Sequence, residues 1–132
     1  MKLTTTEAIE LLQNNDDVWA FDLLFSQSKM RIIKNLKPVR ILDLHFGAYT
    51  NSEIVTHFRT FEQPNVKVPA VDLYDGRMIF TPSLFSSEEE CHSAYNDRIN
   101  SFADFIDEDR IKRNENSLKL MSSVLSHIKV IN

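Results

Sequence analysis

The stretch "VPAVDLYDGRMIFTP", residues 68–82, carries the strongest local structural signal in the chain. Its Asp75-Gly76 pair is typical of a two-residue hairpin turn, because a type I′ turn needs positive φ at both central residues. Such a turn sets Tyr74 opposite Arg77 and fixes the pairing of every residue behind them. The prolines near both ends cannot donate a ladder hydrogen bond, so pairing should fade there on both strands. The sequence therefore predicts a β-hairpin.

The two faces of this predicted hairpin differ in composition, because successive strand residues point to opposite sides. The mainly apolar face is expected to lie in the core and comprises Val71, Leu73, Met78 and Phe80. The other face includes a tyrosine and an arginine, residue types that are enriched among the residues that contribute most to protein binding. We therefore regard it as a candidate partner-binding surface. Its candidate contact residues are Asp72, Tyr74, Arg77 and Ile79.

Capping patterns and apolar periodicity predict helices on both sides of the hairpin. Thr4 and Glu7 form a possible capping box that opens a first helix ending near Asn14 and Asn15. Ser87 and Glu90 form a second such box before a long run of helical apolar spacing. A last helix is predicted near the C-terminus, where an apolar stripe includes Leu118, Met121, Val124, Leu125 and Ile128.

The segments between the first helix and the hairpin are more ambiguous. Residues 18–25 suit either a buried helix or an interior strand, and the preceding aspartates favour a helix as its cap. Residues 29–36 carry apolar side chains at helical spacing, and a helix there must end before Pro38. Residues 39–46 can be strand or helix, and their β-branched start favours a strand. Residues 52–61 read as a helix with apolar residues turned inward.

Together these elements predict an α+β fold with four or five helices packed on a small antiparallel sheet built around a hairpin at 66–81. No repeat or flexible linker interrupts residues 1–132, which are therefore expected to form a single domain. The N-terminus lacks the uncharged apolar run of a secretory signal, and no run is long enough to cross a bilayer. With its single cysteine, the chain is expected to be cytoplasmic, without a membrane partner.

Charge is unevenly distributed along a chain of net charge −4. Residues 29–40 contain five basic side chains and no acid, whereas residues 88–109 contain eight acids and one basic side chain. Such patterning can steer a charged partner, but it can equally reflect complementarity between two surfaces of one fold. The sequence leaves open whether these segments face each other or a partner.

The sequence contains no clear pattern of catalytic or metal-binding residues. The residues that could bind a metal, namely His45, His57, Cys91, His92 and His127, show no spacing typical of a metal site. No serine lies in a nucleophile-elbow motif, and two glycines cannot form a phosphate-binding loop. The carboxylates near residues 104–108 are typical of a solvated helix end. We therefore predict no cofactor, no metal and no enzymatic activity.

Two functional hypotheses remain. The first is a non-enzymatic cytosolic protein-binding module, of the inhibitor, immunity, chaperone or adaptor type, whose partner is another protein and which can also be a homodimer. The second is a winged-helix-like DNA-binding regulator, because residues 39–45, a turn at 46–51 and a helix at 52–61 have a helix-turn-helix outline, with the hairpin as the wing. Its candidate nucleic-acid contacts are Lys29, Arg31, Lys34, Ser52, His57 and Arg59.

Overall fold

A computed structural model describes residues 2–49, 52–74 and 76–104 of the chain. The chain divides into two compact units, Met1–Arg98 and Ile99–Asn132. The fold described below is that of the first unit; of the second unit, only residues 99–104 are described, as part of a helix. The predicted C-terminal helix lies outside the described residues, and a single domain over residues 1–132 stays a prediction.

Eight strands and two helices make up the described part of the chain. The helices are α1 (Thr5–Gln13) and α2, which begins at residue 88 and continues to residue 104, where the description ends. The strands are β1 (Lys2–Leu3), β2 (Trp19–Ser26), β3 (Arg31–Tyr49), β4 (Ser52–Thr60), β5 (Val68–Pro69), β6 (Val71–Tyr74), β7 (Arg77–Phe80) and β8 (Ser83–Phe85). The fold is therefore α+β, as predicted.

Six of the strands form one antiparallel sheet in the order β1-β8-β2-β3-β4-β5, while β6 and β7 form a separate two-stranded sheet. The 19-residue strand β3 organises the larger sheet. Its first half pairs with β2 along one edge, and its second half pairs with β4 along the other. Because β2 and β4 both pair with β3, this strand fixes their positions relative to each other.

One face of the sheet is covered by α1. The capping box at Thr4 forms as predicted, with the Glu7 amide donating to the Thr4 hydroxyl and the Thr4 amide donating to the Glu7 carboxylate. The helix buries Ala8 against apolar side chains of the strands. The buried cluster on this face comprises Ala8, Val18, Ala20, Ile41, Val55, Phe58, Ala70 and Leu84. We call this side of the sheet the α1 face.

The opposite face, which we call the α2 face, is covered near β2 and β8 by the start of α2. Phe21 stacks on Phe85 with ring centroids 5.9 Å apart and meets the edge of Tyr95 at 5.6 Å. The Tyr95 hydroxyl donates to the Asn35 side chain at 2.8 Å, which ties the helix to β3. Residues 20–23 of β2 are therefore buried on both faces.

The hairpin has the register that the sequence predicts, with Tyr74 opposite Arg77 and Val71 opposite Phe80. The prediction for its apolar face is only half correct. Phe80, near the base, packs against the core, but Leu73 is 69% exposed and Met78 is 37% exposed. The hairpin therefore leaves the core at its base and exposes its outer part on both sides.

The prediction of four or five helices is wrong. Residues 29–36 and 52–61 were expected to be helical, and for residues 18–25 a helix was favoured over a strand, yet the three segments lie largely in β3, β4 and β2. Residues 39–46 form a strand, as predicted. The turn expected around Gly47 is also wrong, because this glycine lies within β3 and pairs with Ile54.

Bulges in β3 and β4 explain why parts of these two strands have helix-like spacing. Between the pairs His45–His57 and Phe46–Val55, β4 contains one extra residue, Thr56. An extra residue reverses the alternation of faces, so Val55 and Phe58 both reach the core although they are three residues apart. That spacing imitates one turn of a helix.

Candidate functional site

Most of the described side chains in the hairpin β6–β7 are exposed. Leu73 and Met78 are direct cross-strand partners, so their exposed side chains lie on one face. Ile79, opposite Asp72 on the other face, is 44% exposed. Arg77 is exposed beside the turn, and the side chain of Tyr74 lies outside the described structure. Apolar surface is thus available on both faces of the hairpin.

The predicted contact residues Asp72, Arg77 and Ile79 are all exposed, and the hairpin register places them beside one another. The Asp72 carboxylate accepts a hydrogen bond from the Leu73 amide at 3.0 Å. Leu73 and Met78, which were expected in the core, extend this candidate surface around the hairpin.

The base of the hairpin is fixed to the larger sheet by backbone hydrogen bonds. The Ala70 amide donates to the Thr56 carbonyl of β4 at 2.9 Å. The Thr81 amide donates to the Ala70 carbonyl at 3.0 Å, which closes the two arms against each other. Ala70 itself is fully buried in the core. The exposed outer part of the hairpin is therefore anchored to the larger sheet through its base.

A partly buried polar cluster, in which the Lys34 side chain is 24% exposed, lies beside this attachment. Asp22 of β2 is 0% exposed, and its Oδ2 lies 2.6 Å from Lys34 Nζ of β3. The Thr81 hydroxyl donates to the same carboxylate oxygen at 2.8 Å. Lys34 Nζ also lies 3.1 Å from the Pro69 carbonyl oxygen and 3.2 Å from Thr81 Oγ1. We call Asp22, Lys34 and Thr81 the base cluster.

Burial makes the base cluster energetically important. Taking an ionised carboxylate out of water costs several kcal/mol, and a paired ammonium with further hydrogen bonds is what offsets it. The other oxygen of Asp22, Oδ1, is buried with no hydrogen-bond partner among the described residues. The carboxylate thus depends on the contacts that Lys34 and Thr81 make with Oδ2.

A second polar group lies on the α2 face of β3 and β4. Arg59 donates through Nε to both oxygens of Asp43, at 2.9 and 3.0 Å, and its Nη2 also contacts that carboxylate. His45 Nε2 lies 3.0 Å from Asp43 Oδ1, and Arg59 Nη1 donates to the Pro64 carbonyl at 3.1 Å. The hydrogen bonds from Arg59 hold the pKa of Asp43 below its ordinary value, against a smaller opposing effect of burial. This arrangement fastens the loop after β4 to the sheet.

The helix-turn-helix prediction is wrong, because both of its helices are strands of one sheet. The residues proposed for nucleic-acid contact are also not brought together. Lys34 lies on the α1 face in the base cluster, whereas His57 and Arg59 lie on the α2 face. Lys29 lies in the turn before β3, Arg31 begins that strand, and the side chain of Ser52 is not described.

Several other sequence features have structural roles. Two of the basic side chains in residues 29–40 pair with aspartates elsewhere, Lys34 with Asp22 and Arg40 with Asp17. Burial, and secondarily Glu88, raises the pKa of the Cys91 thiol to about 12, so this thiol is protonated and unreactive near neutral pH. Among the described residues, no three His, Cys, Asp or Glu side chains gather where a metal ion could bind. In the same residues, no helix is long and apolar enough to span a membrane.

Sequence reasoning missed the base cluster, although a signal for it exists. Asp22 is the only charged residue in the apolar run "VWAFDLLF" at 18–25, and Lys34 directly follows two isoleucines. A lone charge inside an apolar run is expected to find a buried partner. What the sequence does not provide is the pairing of β2 with β3, which makes the two residues neighbours.

Comparisons with known proteins add nothing to this geometry: no protein-family model matches the chain, and neither the curated proteins nor the solved structures contain a significant match.

Proposed function

We propose that this chain is a cytoplasmic, non-enzymatic protein-binding module and that the hairpin β6–β7 is its contact element. The observation that carries the proposal is the exposed cross-strand pair of Leu73 and Met78. Single exposed apolar residues are common on any protein. Here, however, they adjoin each other on a hairpin that also exposes Ile79 on its second face.

The attachment of the hairpin supports the same proposal. A two-stranded hairpin alone is marginally stable in water, so an exposed one is normally costly to order when a partner binds. This hairpin is held at its base by Ala70, Thr81 and the base cluster. Its contact residues are therefore ordered before binding, which lowers the entropic cost of association.

The composition of the hairpin fits a protein partner. Leu73, Met78 and Ile79 offer apolar contact, and Arg77 offers hydrogen-bond donors at the edge of that apolar surface. Protein interfaces commonly combine a desolvated apolar centre with a polar rim. Inhibitors, immunity proteins, chaperones and adaptors are the functional classes that use such surfaces without catalysis. Duplex DNA binding is not proposed, since the predicted reading helix is a strand.

Affinity purification from the native host tests the proposal. The double variant Leu73→Ser with Met78→Ser removes the apolar pair, and Val66→Ser is the matched control because Val66 is a similarly exposed apolar residue in a loop. Circular dichroism first establishes that all three proteins are folded. We expect at least one protein to be recovered with the wild type and with Val66→Ser but not with the double variant.

The partner is then purified and its Kd is measured by calorimetry with nuclease-treated samples. Loss of two central apolar contacts is expected to weaken binding by about tenfold or more, as hot-spot truncations do. Equal affinity for the wild type and the double variant would exclude the hairpin as the contact element.

A further inference from the structure

The two arms of the hairpin converge on one ammonium group. Lys34 Nζ lies within hydrogen-bond distance of the Pro69 carbonyl on the arm that enters the hairpin and of the Thr81 hydroxyl on the arm that leaves it. Its third contact is the buried Asp22 carboxylate of β2. A lysine ammonium has three donors, so these three acceptors use all of them.

The carboxylate makes this junction resistant to displacement. If the arm that carries Thr81 moved away, Oδ2 of Asp22 would lose the Thr81 hydroxyl, and Lys34 would lose one of its three acceptors. Asp22 is 0% exposed with the hairpin in place, so its carboxylate has no solvent contact and relies on the Thr81 hydroxyl and the Lys34 ammonium. Any tilt of the hairpin base therefore breaks contacts to a buried carboxylate.

The remaining attachments of the hairpin do not depend on this charge. The Ala70 amide still donates to the Thr56 carbonyl, and Ala70 and Phe80 still pack against the core. Removing the base cluster should thus loosen the hairpin without detaching it. Lysine suits this role better than arginine, because a compact ammonium donates in three directions whereas a guanidinium is planar.

We infer that Lys34 is a positioning residue for the hairpin: through Asp22 and Thr81 its ammonium fixes the orientation of β6–β7 relative to the sheet. The inference rests on the proposed function, because the hairpin that Lys34 orients is the proposed contact element. The geometry of the junction stands on its own contacts.

Backbone ¹⁵N relaxation of the full chain tests the inference and needs no partner. The central variant is Asp22→Asn with Lys34→Met, which removes both charges together so that no unpaired charge remains buried. We expect the order parameters of residues 71–74 and 77–80 to fall from about 0.85 to below about 0.6, while those of β2 stay rigid.

Two further comparisons separate positioning from general destabilisation. Thr81→Val removes the hydroxyl and should also lower the hairpin order parameters, whereas Thr81→Ser retains the hydroxyl and should restore them. Ile41→Val weakens the core elsewhere and should leave the hairpin as ordered as in the wild type. If the double variant and Ile41→Val give the same hairpin order parameters, the positioning role is refuted.

The outcome is independent of whether the hairpin binds a protein. Loss of order in the double variant, combined with unchanged partner affinity in Leu73→Ser with Met78→Ser, would refute the proposed function and retain the positioning role of Lys34. Unchanged hairpin order in the Asp22→Asn with Lys34→Met variant, combined with weaker partner binding in Leu73→Ser with Met78→Ser, would retain the proposed function and refute the positioning role of Lys34.

Discussion

Strand β2 and the hairpin β6–β7 both mix apolar and charged side chains, yet they have opposite environments. Between Ala20 and Leu23, β2 is buried on both faces, with the core cluster on the α1 face and α2 on the other. The outer hairpin is exposed on both faces, including Leu73 and Ile79. Apolar residues in β2 therefore contribute to folding, and those at the outer end of the hairpin remain available for binding.

Matched residues in the two regions allow this contrast to be tested. Each contains an aspartate and at least one leucine, and the chain's two glycines lie one in the large sheet and one at the hairpin turn. If burial decides their roles, the same substitution should have a large effect on stability in the sheet and a small or different effect in the hairpin.

The largest difference is expected between the aspartates. Asp22→Ala leaves Lys34, whose side chain is 24% exposed, without its carboxylate partner; breaking a buried pair costs about 3–5 kcal/mol, and the partial exposure of Lys34 puts this variant at the lower end of that range. Asp72→Ala, at an exposed position, should change the free energy of unfolding by less than about 0.5 kcal/mol. Urea unfolding followed by circular dichroism measures both values. Similar losses in the two variants would contradict the contrast.

The leucines should differ nearly as much. Leu23 is 1% exposed, and Leu23→Ala is expected to lower the free energy of unfolding by about 2–5 kcal/mol. Leu73→Ala should leave stability within about 0.5 kcal/mol of the wild type, because Leu73 is mostly exposed. The same urea titration serves as the measurement. A loss above 2 kcal/mol in Leu73→Ala would show that the hairpin is part of the folding core.

Replacing either glycine by alanine should destabilise the protein, but for different reasons. At Gly47 a Cβ would lie 2.8 Å from Thr56 Cγ2, so Gly47→Ala is expected to cost about 1–3 kcal/mol through overpacking. At Gly76 there is space, but φ is +73°, so Gly76→Ala should cost about 1–2 kcal/mol through backbone strain.

Rescue experiments distinguish these two causes. Gly76→Asn should recover most of the stability, because asparagine tolerates a left-handed backbone. Gly47→Ala should instead be rescued by Thr56→Ala, which removes the clashing methyl group. Failure of either rescue in thermal unfolding would show that the assigned cause is wrong.

The smallest expected effect is the pH dependence from Asp43. Its pKa is lowered from the ordinary value of 3.8, mainly by hydrogen bonds from Arg59, so its charged form favours the folded state. The resulting stabilisation is present above the ordinary pKa and is lost as pH falls through the lowered one. Carboxyl NMR titration should show this lowered value, and Arg59→Gln should return it toward 3.8. An unchanged value in that variant would exclude Arg59 as the cause.

The sequence predicts the elements whose signals are local. The capping box of Thr4 and Glu7, the helix start at Ser87 and the register set by Asp75-Gly76 all depend on residues within a few positions of one another. Each was predicted correctly because the interacting groups are neighbours along the chain.

The first part of β3 and strand β4 were mispredicted because their stability comes from distant pairing and their periodicity is disturbed by bulges. In β4 the extra residue Thr56 brings Val55 and Phe58 to the core at a spacing of three. Within one segment such spacing cannot be distinguished from helical periodicity. β-branched residues such as Val55 and Thr56 favour a strand, a preference that the apparent periodicity outweighed in the prediction.

The candidate contact residues of the hairpin could be named from sequence, but their surroundings could not. Alternation identifies two faces, and it does not reveal that Leu73 and Met78 extend beyond the structure that covers Phe80. The base cluster likewise requires β2, β3 and the end of the hairpin to meet, and these are separated by up to 59 residues in the sequence.

Site-specific photo-crosslinking in the native host tests the central claim most directly. A photoreactive residue is placed at position 73 on the hairpin or, as a control, at position 66, an exposed loop position. Hairpin binding predicts a discrete crosslinked protein from position 73 that is absent from position 66. Identical products from both positions, or a discrete product from position 66 alone, would contradict the assignment of the hairpin as the contact element.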